Sequence, residues 1–93
     1  MKTWADYKEH VKSVDPEAGK EIEEAEELAS IVGAVTAQRK ALGLSQRELA
    51  SICGIPQSSV ARIESYKATP KLDTLLKIMQ PLGLKLNVSP ASD

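Results

Sequence analysis

The stretch LSQRELASICGIPQSSVARIE, residues 44–64, constrains the local fold more than any other part of this chain: it reads as a short helix, a tight turn and a second short helix. Ser45 followed by Glu48 is a capping box, in which each side chain satisfies a backbone N–H that the start of a helix leaves open. The spacing of Leu49, Ile52 and Cys53 gives that helix one apolar face, and Ala50 is small enough for a crossing neighbour to approach closely. Gly54 falls where the chain must reverse, a position that takes positive φ at little cost in a residue without Cβ. Pro56 suits the first turn of the next helix, because the N–H it lacks would be unsatisfied there anyway. In that helix Val60 and Ile63 are predicted to face inward, and Gln57, Ser58, Ser59 and Arg62 outward.

An outward row of Gln, Ser and Arg on a short helix suits the base edges of a DNA major groove, where Gln pairs with adenine and Arg with guanine through two hydrogen bonds each. Two packed helices in an ordinary bundle would explain the apolar spacing but not this polar row. The pattern resembles the helix-turn-helix of the Xre-type, phage-repressor-like DNA-binding family. Gln46, Ala50, Gly54, Val60 and Ile63 carry the resemblance, which extends from Arg39 to about Leu86 through GLSQ, the Arg-Ile-Glu at 62–64, Pro70 and LDTLLKIMQPLG. It implies an all-α fold built on a phage-repressor-like domain over residues 33–83. It also implies a structural salt bridge from Arg39 to Glu64 that sets the angle of the second helix, the alternative being an unpaired surface pair. Gln46 is expected near a phosphate, steadying Gln57, while Gln57, Ser58, Ser59 and Arg62 read bases. Lys67, Thr69 and Lys71 in the following loop are further candidates for the DNA backbone. Repressors of this type bind as homodimers, with recognition helices about 34–36 Å apart to enter successive major grooves.

Ninety-three residues suffice for one small domain, whose marginal core would gain from dimerisation. The single cysteine, Cys53, rules out a disulfide framework and a cysteine-based zinc site, and fits a reducing cytoplasm. Its place on an apolar helix face assigns it to the core. No apolar run approaches transmembrane length, and the basic-then-apolar start of a signal peptide is missing. The net charge of −1 conceals a division. Residues 1–32 hold nine acids against four bases, and residues 33–93 hold four acids against eight bases. A mildly basic domain with an acidic extension points to two partners of different kinds.

Asp15-Pro16-Glu17 reads as a helix start, with Asp15 as cap. Apolar residues then recur with helical period from Ala18 through Ile22, Leu28, Val32 and Val35 to Leu42, as one helix or as two broken near Gly33, with Gly43 as the stop. The glutamates of its first half form a solvated face, or a surface that repels DNA and attracts a basic protein; the residues leave both open. After a loop at 65–70, Leu72, Leu75, Leu76 and Met79 mark another amphipathic helix, which Pro81 weakens near its end. Leu84, Leu86 and Val88 alternate with polar residues, predicting a short C-terminal β-strand. With no partner inside a helical domain, that strand is expected to pair with its copy in a second chain, and residues 84–93 are read as dimerisation strand and disordered tail. Trp4, Tyr7, Val11 and Val14 stack on one face of an N-terminal helix. That stripe either docks in a partner's groove or folds back on the chain's own domain.

Catalytic and cofactor chemistry has no footing. His10 is the only histidine and has no metal-ligand spacing around it, the five glycines are scattered rather than gathered into a phosphate loop, and no serine has the partners of a hydrolytic triad. No cofactor, no metal and no enzymatic activity are expected. An acidic N-terminal helical extension over residues 1–32, an Xre-type domain and a C-terminal strand together resemble HigA-type antitoxins of type II toxin–antitoxin modules. That resemblance implies two partners: an operator in double-stranded DNA, and a basic ribonuclease toxin (HigB/RelE-like) met by the Glu-rich segment and the Trp4 face. The alternatives are a stand-alone Xre-type repressor and a protein-interaction module that has lost DNA binding.

Overall fold

The computed structural model describes residues 3–91, which form two compact units divided between Ile31 and Val32. The helices are α1 (Trp4–Val14), α2 (Pro16–Ala41), α3 (Gln46–Cys53), α4 (Gln57–Glu64) and α5 (Leu72–Met79), followed by a 3₁₀ turn at Gln80–Leu82.

In the first unit α1 starts on Thr3, whose hydroxyl accepts from the Asp6 N–H at 3.1 Å. It stops at Asp15, because a residue before proline disfavours the helical region. Asp15 then caps the next helix, its Oδ1 accepting from the Ala18 N–H at 3.3 Å. α1 lies directly on the opening turns of α2. A Cβ added at Gly19, which is buried, would stand 2.7 Å from the Cα of Lys12, so only glycine permits that approach. α2 is one continuous helix, and Gly33 does not break it. A lone glycine costs a helix about 1 kcal/mol, less than the flanking turns hold in place.

The second unit is built on a single apolar core. Val32 and Val35 of α2, Leu49 and Ala50 of α3, Val60 and Ile63 of α4, Leu75 and Ile78 of α5, and Leu82 are all buried. Helices of eight residues are too short to persist alone in water, so this burial is what holds α3, α4 and α5. Truncating a fully buried residue such as Leu49 to Ala typically costs roughly 2–5 kcal/mol. Cys53 is part of the core, and burial pushes its thiol up from the ordinary value. The turn between α3 and α4 passes through Gly54 at φ 69°, and Pro56 lies one residue outside α4, as its N-cap.

Two apolar expectations shift. Ile52, read as part of the inner face of α3, is 58% exposed, and on α5 the inner face is Leu75, Ile78 and Met79 while Leu72 and Leu76 stay exposed. The proposed C-terminal strand at Leu84, Leu86 and Val88 is corrected: no strand occurs among the described residues, and 84–91 carry no regular secondary structure. The alternation survives as burial, with Leu84 and Leu86 half-buried between exposed Lys85 and Asn87, while Val88 is 95% exposed. A strand is defined by a backbone ladder, and no second extended segment lies among the described residues to form one. Of the tail expected to be disordered, Ser92 and Asp93 lie outside the described residues.

Candidate nucleic-acid interface

α4 buries Val60 and Ile63, and the helical period therefore turns Gln57, Ser58 and Arg62 to solvent, with Ser59 half-buried. Arg62 makes no ion pair among the described residues, so its guanidinium is available to an outside acceptor.

A polar network holds this helix from behind. Arg39 is buried, and its Nε and Nη2 donate to the two carboxylate oxygens of Glu64 at 2.7 and 2.8 Å. That two-bond geometry fixes both side chains in angle as well as distance. Nη1 of the same guanidinium donates to the Leu44 carbonyl at 2.7 Å, tying in the chain just ahead of α3. Gln46 extends the network: its Nε2 donates to Glu64 Oε1 at 3.0 Å, and its Oε1 accepts from Gln57 Nε2 at 3.1 Å. The first residue of α4 is thus connected through one amide to the ion pair at the last. Burial pushes the Glu64 carboxyl up, but the hydrogen bonds from Arg39 and Gln46 outweigh it and hold the carboxyl below its ordinary range. The same hydrogen bonding raises the Arg39 guanidinium.

The arrangement leaves Gln57 equipped to read. A side-chain amide has two N–H donors and one carbonyl acceptor. Gln46 takes one donor, so the second donor and the acceptor remain, the pair that adenine N7 and N6 require.

α3 presents its start to the same side. Ser45 Oγ accepts from the Glu48 N–H and Glu48 Oε1 from the Ser45 N–H, both at 3.0 Å, and the Ser45 bonds hold the Glu48 carboxyl below its ordinary range. The capping box leaves the N–H groups of Gln46 and Arg47 in the first turn without a partner among the described residues, as suits a backbone phosphate. Beyond α4, a cavity of about 350 Å³ brings Ser59 and Arg62 together with Thr69 and Lys71 of the loop. Lys67 is exposed, its N–H bonded to the Arg62 carbonyl at 2.8 Å. Sequence reasoning missed Tyr66, the one non-glycine residue at positive φ among those described (62°). No propensity marks a tyrosine for that conformation; the position after the helix end is the only available signal.

The N-terminal stripe lies in the first unit. Trp4 and Tyr7 stack with ring centroids 5.4 Å apart, and Trp4 Nε1 donates to Glu26 Oε2 at 2.8 Å. Lys8 Nζ reaches Glu26 Oε1 at 2.9 Å, and Lys12 pairs with Glu23. The bonds from Trp4 and Lys8 hold the Glu26 carboxyl below its ordinary range. The rings still remain open, Trp4 55% and Tyr7 44% exposed, as does Val14, while Val11 is half-buried. Among the described residues there is no group of His, Cys, Asp and Glu that could hold a metal, and no helix long and apolar enough to cross a membrane.

A fold of this kind, with a capped short helix, a glycine turn and a second helix offering Gln, Ser and Arg, defines a helix-turn-helix DNA-binding protein. A helix-turn-helix family model matches residues 35–89, and the chain belongs to that Xre-type family. Over 70 residues (75% of this chain and 71% of the relative) it is 37% identical to an uncharacterized HTH-type transcriptional regulator of Haemophilus influenzae. It is 36% identical to antitoxin HigA1 of Mycobacterium tuberculosis over 76 residues, 82% of this chain and 51% of that protein. A third relative, HTH-type transcriptional regulator PuuR of Escherichia coli, is 39% identical over 49 residues, 53% of this chain and 26% of its own length. The chain thus spans about half of HigA1 and about a quarter of PuuR. No solved structure gives a significant match.

Proposed function

We propose that this chain is a sequence-specific repressor that acts as the antitoxin of a type II toxin–antitoxin module, binding DNA as a cytoplasmic homodimer and neutralising a basic, RelE-like ribonuclease. The observation that carries the DNA-binding part is the exposed Gln57, Ser58 and Arg62 on a helix anchored through Gln46 to the buried Arg39–Glu64 pair. Gln57, Ser58, Ser59 and Arg62 read bases; Gln46, Lys67, Thr69 and Lys71 hold the backbone.

The antitoxin part is supported by the extent of the HigA1 similarity. Only 59 residues lie from 35 to the end of the chain, so a match of 76 necessarily runs ahead of the helix-turn-helix into the acidic segment. The 49 residues shared with PuuR require no such extension. The exposed Trp4 and Tyr7 and the glutamates of residues 1–32 give a basic ribonuclease both an apolar anchor and opposite charge. The similarity to the Haemophilus regulator favours a second reading, a stand-alone repressor, because that match also runs ahead of residue 35 without any toxin in its description.

Co-expression separates the two. A basic protein of about a hundred residues encoded next to this chain should arrest growth alone, co-purify with the chain and be silenced by it. A neighbour that neither binds nor arrests growth leaves the stand-alone repressor.

A further inference from the structure

Four helix ends in the second unit close with the same pair of backbone hydrogen bonds. After α2, Leu44 N–H donates to Arg39 O and Gly43 N–H to Lys40 O, both at 3.0 Å. After α3 the pair is Ile55 to Ala50 and Gly54 to Ser51, at 3.0 and 3.2 Å. The 3₁₀ turn ends with Leu84 to Met79 and Gly83 to Gln80, both at 3.1 Å. α4 ends with Lys67 to Arg62 and Tyr66 to Ile63, at 2.8 and 3.1 Å. This closure puts one residue in the left-handed region, where a Cβ crowds the next carbonyl. Glycine fills it three times, at φ 73°, 69° and 71°; the fourth is Tyr66 at φ 62°.

The side chain for which the fold tolerates that strain lies mostly in solvent. Tyr66 is 60% exposed, and among the described residues its phenol has no hydrogen bond and its ring no aromatic contact. Strain retained at a place where three equivalent turns avoid it, on behalf of a mostly exposed side chain with no hydrogen bond or ring contact among the described residues, points to something outside the chain. The surroundings identify its chemistry. Tyr66 stands between Arg62 and Lys67, and the turn is locked to the recognition helix because the Arg62 carbonyl accepts the N–H groups of both Lys67 and Ala68, at 2.8 and 3.2 Å. The launch point of the ring is therefore fixed relative to Arg62.

We infer that Tyr66 is a positioning residue for DNA, its phenolic O–H donating to a backbone phosphate at the edge of the groove that α4 enters. This rests on the DNA-binding reading above. A phosphate contact of this kind sets register and carries no sequence information. Being uncharged, it also releases no counterion, which separates it from Lys67.

The test compares wild type, Tyr66→Gly, Tyr66→Phe and Lys67→Ala on a duplex selected by the wild type from a random library and on a scrambled duplex of equal length. Tyr66→Gly should melt a few degrees higher, since it relieves the left-handed conformation. It should nonetheless bind both duplexes about tenfold more weakly, the loss expected when a hydrogen bond to a charged group is removed. Tyr66→Phe should lose most of that affinity with its melting temperature and salt slope unchanged, whereas Lys67→Ala should flatten the slope. Undiminished affinity in Tyr66→Gly overturns the inference, and so does a lower melting temperature, which would make Tyr66 a packing residue. Loss confined to the selected duplex would make it a base reader instead. Intact DNA binding with lost toxin neutralisation would assign the ring to a protein. A wild type that binds neither duplex overturns the inference together with the reading on which it rests.

Discussion

Replacing Glu64 with Ala should be the most damaging single change in the polar network, for reasons that the geometry makes countable. The carboxylate accepts three hydrogen bonds: from Arg39 Nε at 2.7 Å, Arg39 Nη2 at 2.8 Å and Gln46 Nε2 at 3.0 Å. Side-chain exposure of the pair is 9% for Arg39 and 6% for Glu64, so water cannot readily take over either partner. Removing Glu64 leaves a buried guanidinium with only the Leu44 carbonyl. An orphaned buried charge costs roughly 3–5 kcal/mol. For a domain this small that is a melting-temperature loss of more than about 10 °C. Urea unfolding followed by far-UV circular dichroism measures it directly. Replacing both partners by apolar residues, Arg39→Met with Glu64→Leu, should restore most of the stability yet not the DNA affinity, because Gln46 and Gln57 lose their anchor. The pH dependence carries a definite sign. Glu64 titrates below its ordinary range in the folded chain, so its stabilisation is complete at neutral pH and is lost as the pH falls through that lowered value. Glu64→Ala should therefore show a flatter acid limb. A cost below about 1 kcal/mol would refute the reasoning, since an orphaned buried guanidinium cannot be that cheap.

Three further outcomes follow from other parts of the chain. Gly33→Ala adds a Cβ with nothing within 4 Å, inside an unbroken helix, and should raise stability by about 0.5–1 kcal/mol in the same urea titration. Gly19→Ala meets the Lys12 Cα at 2.7 Å and should instead loosen α1 from α2, seen as faster amide exchange over residues 4–14. Trp4→Ala combined with Tyr7→Ala removes the two stacked rings, and should impair growth rescue against the proposed toxin while operator affinity stays within about twofold, since the residues proposed to face DNA lie at 46–71.

The helix-turn-helix was readable because its signals are local. The capping box, the glycine turn and the i, i+3 spacing of Val60 and Ile63 each act over a few residues and need no knowledge of the rest of the chain. The outward placement of Gln57, Ser58 and Arg62 follows from the same period. What escaped depended on distant partners or on backbone detail. Ile52 and Ile78 are chemically identical, yet one is exposed and the other buried, and only the direction of the neighbouring helices decides between them. Leu84, Leu86 and Val88 alternate like a strand, but alternation specifies faces and not a ladder, which needs a second backbone. The close seat of α1 on Gly19 was equally invisible, because a glycine in a Glu-rich helix looks like a weak point rather than a contact. Tyr66 shows the limit most plainly: its left-handed backbone is imposed by the closure of α4, against the preference of the residue.

Selection of bound duplexes from a random library, by wild type and by Arg62→Ala in parallel, tests the central claim most directly. Wild type should enrich a defined motif. Arg62→Ala should enrich the same motif with the preference at one base pair per half-site relaxed, a loss of about 1–3 kcal/mol in discrimination there. Enrichment of no motif by the wild type, or an unchanged preference at every position in Arg62→Ala, would contradict the assignment of α4 as the reading helix.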